Sequence, residues 1–357
     1  MSAAVFTTLD SVTLLDDLLR RPSPTGATDT AAQRLLEVAR EAGFDAQVDA
    51  AGSVVMRWGD GASTSDVLLV GHLDTVPGEI AVRLEDGRLH GRGSVDAKGP
   101  LAAALAAVAS LPRDGAPVTV VAVIDEEGPS LGARQLRSRR APSALVVLEP
   151  SGWDAVTTGY RGCVRVTATI TRPGAHNAAP EAGAADVLVT RLAVLQERLG
   201  SHGGAAPSGG ARAVDSVQLR VNGLETHVRD GVQHAQAALE VRLPAGTTVD
   251  ALLEQVRDTL GDARIDVGYA CEAVSVPRSN AVARRLARAI TAAGGTPRYT
   301  TKTGTCDLNV LWPAWRCPAA VYGPGDCALD HTPREAIDVA DLRRGTAVLR
   351  AAVEALR

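Results

Sequence analysis

His72 and Asp74 stand two residues apart in GHLDTVP (71–77), at the end of the apolar run 66–71. In extended backbone, residues i and i+2 point the same way. A carboxylate at 74 can therefore accept one imidazole N–H and leave the other ring nitrogen for a metal. A strand-end histidine beside a capping aspartate reads the same motif without any chemistry. Asp96 lies in the glycine loop GRGSVDAKG (91–99), just before an Ala-rich segment, where an aspartate also serves as an ordinary helix cap. Asp125, Glu126 and Glu127 are successive acids at the end of the apolar run 118–124. Solvent exposure or a divalent ion relieves their mutual repulsion. Glu149 follows the run 145–148, and His331 lies in GPGDCALDHTP (323–333).

Each stretch alone has a plain structural explanation, but together they fit one kind of chemistry. A two-metal hydrolytic site needs several carboxylates and imidazoles, one carboxylate able to bridge, and a spare acid as general base. His72, Asp96, Glu127, Glu149 and His331 supply the ligand types, with Glu126 one acid in excess. The glycines of 91–99 lack the G-x-G-x-x-G spacing of a dinucleotide loop.

The elements that must position these residues are legible as texture. Helix periodicity covers 8–20 and 28–42, separated by a Pro/Ser/Gly turn cluster at 22–26. Two short strands fall within 45–58. Continuous apolar runs at 66–71, 118–124 and 145–148 predict strands buried on both faces, and 99–111 predicts a helix. Strands alternating with helices indicate an α/β sheet, whose ligands collect at strand C-termini. From about 159 the texture changes to alternating strands at 163–171, 213–221, 233–242 and 264–270, with helices at 183–199 and 248–260 and a Gly/Ser/Pro-rich loop at 200–211. That β-α-β-β-α-β order predicts a small ferredoxin-like α+β domain. After about 272 a helix at 279–293 and a buried strand at 318–322 return to the first texture. A catalytic domain of 1–158 and 272–357, split by an insertion of 159–271, accounts for the pattern.

The 357 residues suit two domains, and 45% hydrophobic with 22% charged residues is ordinary globular composition. A formal charge of −4 implies no nucleic-acid or membrane partner. The N-terminus lacks a basic region followed by an apolar one, and the apolar run 101–111 is too short to span a bilayer. Five cysteines without a CxxC pair argue against a disulfide framework and for a cytoplasmic protein with free thiols.

GHLDTVP, GRGSVDAKG, DEEGPSLGA, the Glu-Pro at 149–150 and LDHTP, in that order, resemble the co-catalytic zinc peptidase and deacylase family. That family includes carboxypeptidase G, aminoacylase, acetylornithine deacetylase and succinyl-diaminopimelate desuccinylase. The resemblance spans nearly the whole chain and implies a zinc-exopeptidase-like catalytic domain carrying an inserted dimerisation domain. It implies that His72 and Glu149 bind one metal, Glu127 and His331 the other, and that Asp96 bridges both. It makes Asp74 the residue that orients His72 and Glu126 the general base. It also implies a homodimer, in which His176 of GAHNAAP stabilises the oxyanion in the partner subunit's site, although this loop departs from the GHSS of many relatives. Zinc is the implied metal, with cobalt and manganese suited to the same ligands.

Two stretches resemble one branch more closely: TVPGEI (75–80), and TKTGTCDLN (301–309) followed by YGPGD (322–326). That branch releases lysine or ornithine from the γ-glutamyl C-terminus of a small acidic amino-group carrier protein of the LysW type, in amino-acid biosynthesis. Lys302 with the amides of Gly304 and Thr305 could hold the product carboxylate, and Glu79 could face its side-chain ammonium. The basic run Arg134, Arg137, Arg139 and Arg140 could meet an acidic carrier or be a solvated helix face. A deacylase of N-acetylornithine or N-acetyl-lysine would use the same metals and base. A non-catalytic binding protein would have lost a ligand or the base, and this chain has lost neither.

Overall fold

The computed structural model describes residues 9–59, 66–176, 180–200 and 213–357. The predicted 200–211 loop, except Gly200, lies outside them. The chain divides into two compact units: Met1–Thr158 with Val276–Thr300 and Cys306–Arg357, and Gly159–Ser275 with Thr301–Thr305. The expected second boundary at 272 therefore falls at 275–276, and 301–305 groups with the inserted unit.

The first unit is built on a mixed sheet in the order Asp45–Val48, Val54–Trp58, Val118–Val123, Val67–His72, Ala144–Val147, Ala319–Val321, Ala155–Tyr160. The four strands Val118–Val123, Val67–His72, Ala144–Val147 and Ala319–Val321 run parallel, so their C-termini share one edge. Every residue of Val67–His72, Val118–Val123 and Ala144–Val147 is buried, which explains why these strands read as continuous apolar runs. Helix Lys98–Ala109 is buried from Lys98 through Val108, so it is apolar all round rather than amphipathic. The C-terminal helix Val339–Glu354 packs beside it, and its buried Leu342, Gly345, Val348, Leu349, Ala352 and Val353 follow a 3–4 residue spacing. A separate antiparallel sheet joins Arg83–Glu85 and Arg88–His90, turning at Asp86-Gly87, to Ala336–Asp338. Among the described residues no helix is long and apolar enough to cross a membrane.

The second unit is an antiparallel sheet in the order Gln218–Arg229, Val232–Leu243, Gly162–Pro173, Arg264–Cys271, with helices Ala184–Arg198 and Val249–Leu260. The apolar sides of both helices and the inward residues of all four strands form one core. This is the ferredoxin-like arrangement. The strand expected at 213–221 instead begins as a 3-10 turn, Ala213–Asp215, and extends from Gln218 to Arg229. A bulge between Val221 and Gly223 absorbs the break in alternation, and the hairpin turns at Asp230-Gly231, both with positive φ.

Candidate metal centre

The parallel strands bring several of the candidate ligands to one sheet edge by register. Val70 pairs with Val147, so His72 and Glu149, each two residues further on, are level. His72 Nε2 lies 3.9 Å from Glu149 Oε1. His72 also pairs with Val123, which places Glu126 and Glu127 just beyond the end of the next strand. A Cβ on Gly71 would lie 2.9 Å from the Cβ of Leu148, so glycine at 71 allows the close approach of these two strand ends.

His72 is fully buried, and its Nδ1–H donates to the Asp74 carbonyl oxygen at 2.7 Å. The sequence reading gave that task to the Asp74 carboxylate, which lies 3.7 Å from Nδ1. The carboxylate instead accepts from the N–H groups of Glu126, at 3.1 Å, and Glu127, at 3.2 Å, and from Thr25 Oγ1, at 2.8 Å. Asp74 thus holds His72 through its main chain and the two acids through its side chain. A carbonyl only accepts, so the Nδ1 proton is fixed and Nε2 faces the acids.

Asp96 presents one oxygen to each histidine: Oδ1 lies 3.2 Å from His72 Nε2 and Oδ2 lies 3.0 Å from His331 Nε2. That is the disposition of a bridging carboxylate. His331 Nε2 also lies 2.7 Å from Glu127 Oε1. Ligand atoms of His72, Asp96 and Glu127 fall within 4.8 Å of one another, and so do those of His72, Glu126 and Glu149. His331 has φ +59, a left-handed backbone that a residue with a Cβ adopts only at some cost.

The electrostatics suit cations. The side chains of Asp96, Glu127 and Glu149 are only 11%, 10% and 10% exposed. Burial, and next Glu149, push the Glu126 carboxyl well above its usual range. Burial opposes a charge on His72, but Asp96 and Glu149 outweigh it and hold the imidazole well above its ordinary pKa. Hydrogen bonds to Asp96 and Glu127 push His331 up to about 10. With its Nδ1 proton fixed, a neutral His72 would turn its Nε2 lone pair toward carboxylate lone pairs, so that nitrogen must bring a second proton or meet a cation, while His331 Nε2 meets its acids either as a donor or through a cation. Four clustered acids and two imidazoles with inward Nε2 atoms therefore fit divalent ions in the protons' place.

Sequence reasoning passed over two acids. Glu335 is 1% exposed and accepts from three main-chain N–H groups of the Asp96 loop. Asp307 is 1% exposed at the start of helix Asp307–Trp315, and burial pushes it up to about 7. The available signal was an acid near a ligand motif: Glu335 comes four residues after His331, and Asp307 lies within 301–309. Lys98 of the loop motif is buried, donating to the carbonyls of Leu18, at 3.1 Å, and Arg21, at 2.9 Å. It secures the end of helix Ser11–Leu19.

Glu79 is exposed and lines a cavity of about 400 Å³ together with Thr75, Pro77, Arg92 and Lys98. Lys302, Gly304 and Thr305 belong to the second unit, where Thr305 Oγ1 accepts from Arg242 Nη1 at 3.3 Å. His176 is also in the second unit and is exposed. In the basic run, Arg134 lies in the short helix Leu131–Leu136, and Arg137, Arg139 and Arg140 follow it as exposed residues.

Comparison with known proteins places these observations. The model of peptidase family M20/M25/M40 matches residues 68–355. A LysW-lysine hydrolase of Deinococcus radiodurans is 39% identical over 94% of this chain and 94% of its own length. A putative LysW-lysine/LysW-ornithine hydrolase of Thermococcus kodakarensis is 34% identical over 98% of this chain and 92% of its own. Among solved structures, an M20 family metallo-carboxypeptidase of Sulfolobus solfataricus superposes with a TM-score of 0.81 at 16% identity, covering 97% of this chain and 99% of that one. The aminopeptidase PepT of Bacillus cereus does so with 0.76 at 18% identity, covering 98% and 100%. At such identities these two structures speak for the fold alone. The family match, the extent of sequence identity and the cluster of acids and imidazoles agree: the chain belongs to peptidase family M20/M25/M40 and is a metal-dependent hydrolase of amide bonds.

Proposed function

We propose that this enzyme releases lysine, ornithine or a related amino acid from the γ-glutamyl C-terminus of a LysW-type carrier protein. The observation that carries this reading is the 39% identity, over nearly the whole of both chains, to a LysW-lysine hydrolase. His72 and Glu149 would hold one ion, Glu127 and His331 a second, and Asp96 both. Zinc is our choice of metal, with cobalt or manganese as substitutes. Such ions make a water acidic near neutrality and polarise the amide carbonyl.

The chain's own residues do the rest. Glu126 is the acid left over from the ligand set, and its carboxylate takes the proton of the attacking water. The same carboxyl then gives that proton to the leaving amine nitrogen, a poor leaving group until protonated. Desolvation and the neighbouring acids bias Glu126 toward its neutral form; positive charge beside it favours the ionised, basic form. Asp74 fixes the backbone of Glu126 and Glu127, so base and ligand keep their separation.

Glu79 is our candidate for a substrate ammonium, and Lys302 with the amides of Gly304 and Thr305 for its carboxylate. We take the inserted unit as a lid and dimerisation domain and place His176 at the oxyanion of the partner's site. Exposed Val189 on helix Ala184–Arg198, and Leu224 and Val228 on the edge strand Gln218–Arg229, support self-association. An exposed thiol at Cys327 and four buried thiols accord with a reducing, cytoplasmic setting. Purified enzyme loaded with zinc, assayed on carrier-linked lysine, carrier-linked ornithine, N-acetyl-lysine and N-acetylornithine, tests the substrate. We expect turnover on a carrier-linked compound; rapid turnover of the free acetylated compounds with none on the carriers would replace this reading with a small-molecule deacylase.

A further inference from the structure

Asp96 and His331 are not held by the parallel sheet. Asp96 sits in the loop 91–97, between strand Arg88–His90 and helix Lys98–Ala109. A loop without ladder bonds must find other acceptors for its buried N–H groups. Here three of them converge on one carboxylate. Glu335 Oε1 accepts from Val95 N–H, at 2.9 Å, and Asp96 N–H, at 3.1 Å. Oε2 accepts from Gly93 N–H, at 3.1 Å, and from Arg92 Nη1, at 2.8 Å. Arg92 compensates the buried charge and also donates through Nε to the Gly78 carbonyl at 3.0 Å.

Glu335 is itself tethered. Gly91 N–H donates to its carbonyl at 3.4 Å, and the next residue, Ala336, pairs with His90 in the small sheet. His331 lies only four residues upstream. One side chain thus ties the loop that presents Asp96 to the segment that presents His331. Both oxygens of Glu335 are engaged by donors, so it is neither a ligand nor a proton carrier in this arrangement.

We propose that Glu335 is a positioning residue that sets the bridging carboxylate of Asp96 relative to His331 and thereby determines the affinity of the second metal ion. This rests on the two-ion reading of the site above. Charge-assisted bonds from a carboxylate to several main-chain N–H groups form a rigid cradle, and a bridging carboxylate tolerates little misplacement. Replacing one carboxylate oxygen by an amide nitrogen sets donor against donor at one side of the cradle.

The test uses full-length protein stripped with a chelator and titrated with Co2+, followed by visible absorption, spin coupling in EPR and ion content. Wild type should take up two coupled ions; one ion or none would defeat the two-ion reading itself. Glu335→Gln should keep the first ion and bind the second about 10–100-fold more weakly, as partners of metal ligands generally do when altered. Its kcat should fall with little change in KM at saturating Co2+, and Glu335→Asp should recover part of the loss. Glu335→Ala should lose more, but Glu335→Gln decides the matter if the alanine variant does not fold. With wild type binding two ions, a folded Glu335→Gln that binds both with wild-type affinity and coupling would overturn the proposal.

Discussion

The two sides of the metal centre are held by different means. His72 and Glu149 extend from fully buried parallel strands, and their relative position follows from sheet register. Asp96 and His331 come from loops that lie far apart in sequence, and His331 has a left-handed backbone. On the strand side the ladder bonds and apolar packing that stabilise the fold also place the two proposed ligands. On the loop side the placement depends on side chains that contribute no ligand, chiefly Glu335 and Arg92. The strand side should therefore be robust in geometry and sensitive in stability. The loop side should show the opposite behaviour.

The largest effect should come from the residue that belongs to neither side as a ligand. Glu126→Gln should lower kcat roughly 100- to 10,000-fold while leaving ion content unchanged. A loss of bound ion in this variant would make Glu126 a ligand of the strand side, beside His72 and Glu149. Next come the histidines. His72→Ala should lose ion binding and also destabilise the chelated protein by about 1–3 kcal/mol, because the ring is fully buried and the acids around it lose their partner. His331→Ala should weaken ion binding while destabilising the chelated protein less than His72→Ala does, since its side chain is 51% exposed and its pairing with Asp96 and Glu127 is partly screened by solvent. Equal shifts in unfolding temperature for the two variants would erase the distinction.

Glycine substitutions sharpen the same contrast. A methyl at Gly71 meets Leu148 in the packed sheet, so Gly71→Ala should cost about 1–3 kcal/mol in urea unfolding, with a smaller loss of ion affinity than a change in the Asp96 loop. A methyl at Gly99 meets the backbone oxygen of Ser94 within the Asp96 loop, so Gly99→Ala should weaken ion binding about 10–100-fold. The smallest effect is protonic. His331 is pushed up to about 10, so it carries a proton in ion-free protein at neutral pH, and the acids around His72 shift that ring in the same direction. Ion binding should then release at least one proton near pH 7, and affinity should fall as pH falls. Calorimetry in buffers of differing ionisation enthalpy measures this; no release would mean that the imidazoles are already neutral.

The strand side was the more legible in sequence for the same physical reason that makes it rigid. A strand buried on both faces must be apolar throughout, so a polar residue at its end, such as His72 or Glu149, stands out against the run before it. The inserted unit was equally readable from alternation and helix period, with the bulge at Val221/Gly223 displacing one strand. Strand Ala155–Tyr160, the three-residue strands of the small sheet and helix Asp307–Trp315 were not read. The small-sheet strands are too short to show a period, and Pro313 interrupts the helix pattern. The C-terminal helix Val339–Glu354 was likewise unread.

The sequence by itself determined the proposed donor set, its order along the chain and the attachment of His72, Glu126, Glu127 and Glu149 to strand ends, because these depend on residue type and local periodicity. Only the tertiary structure decided that the Asp74 carbonyl rather than its carboxylate holds His72, that Asp96 offers one oxygen to each histidine, and that Glu335 gathers the loop around it. Those are contacts between segments 24 to 243 residues apart or, for His72, a choice between two acceptor groups of Asp74. Their geometry is set when strands and loops pack against one another, and no local pattern encodes it.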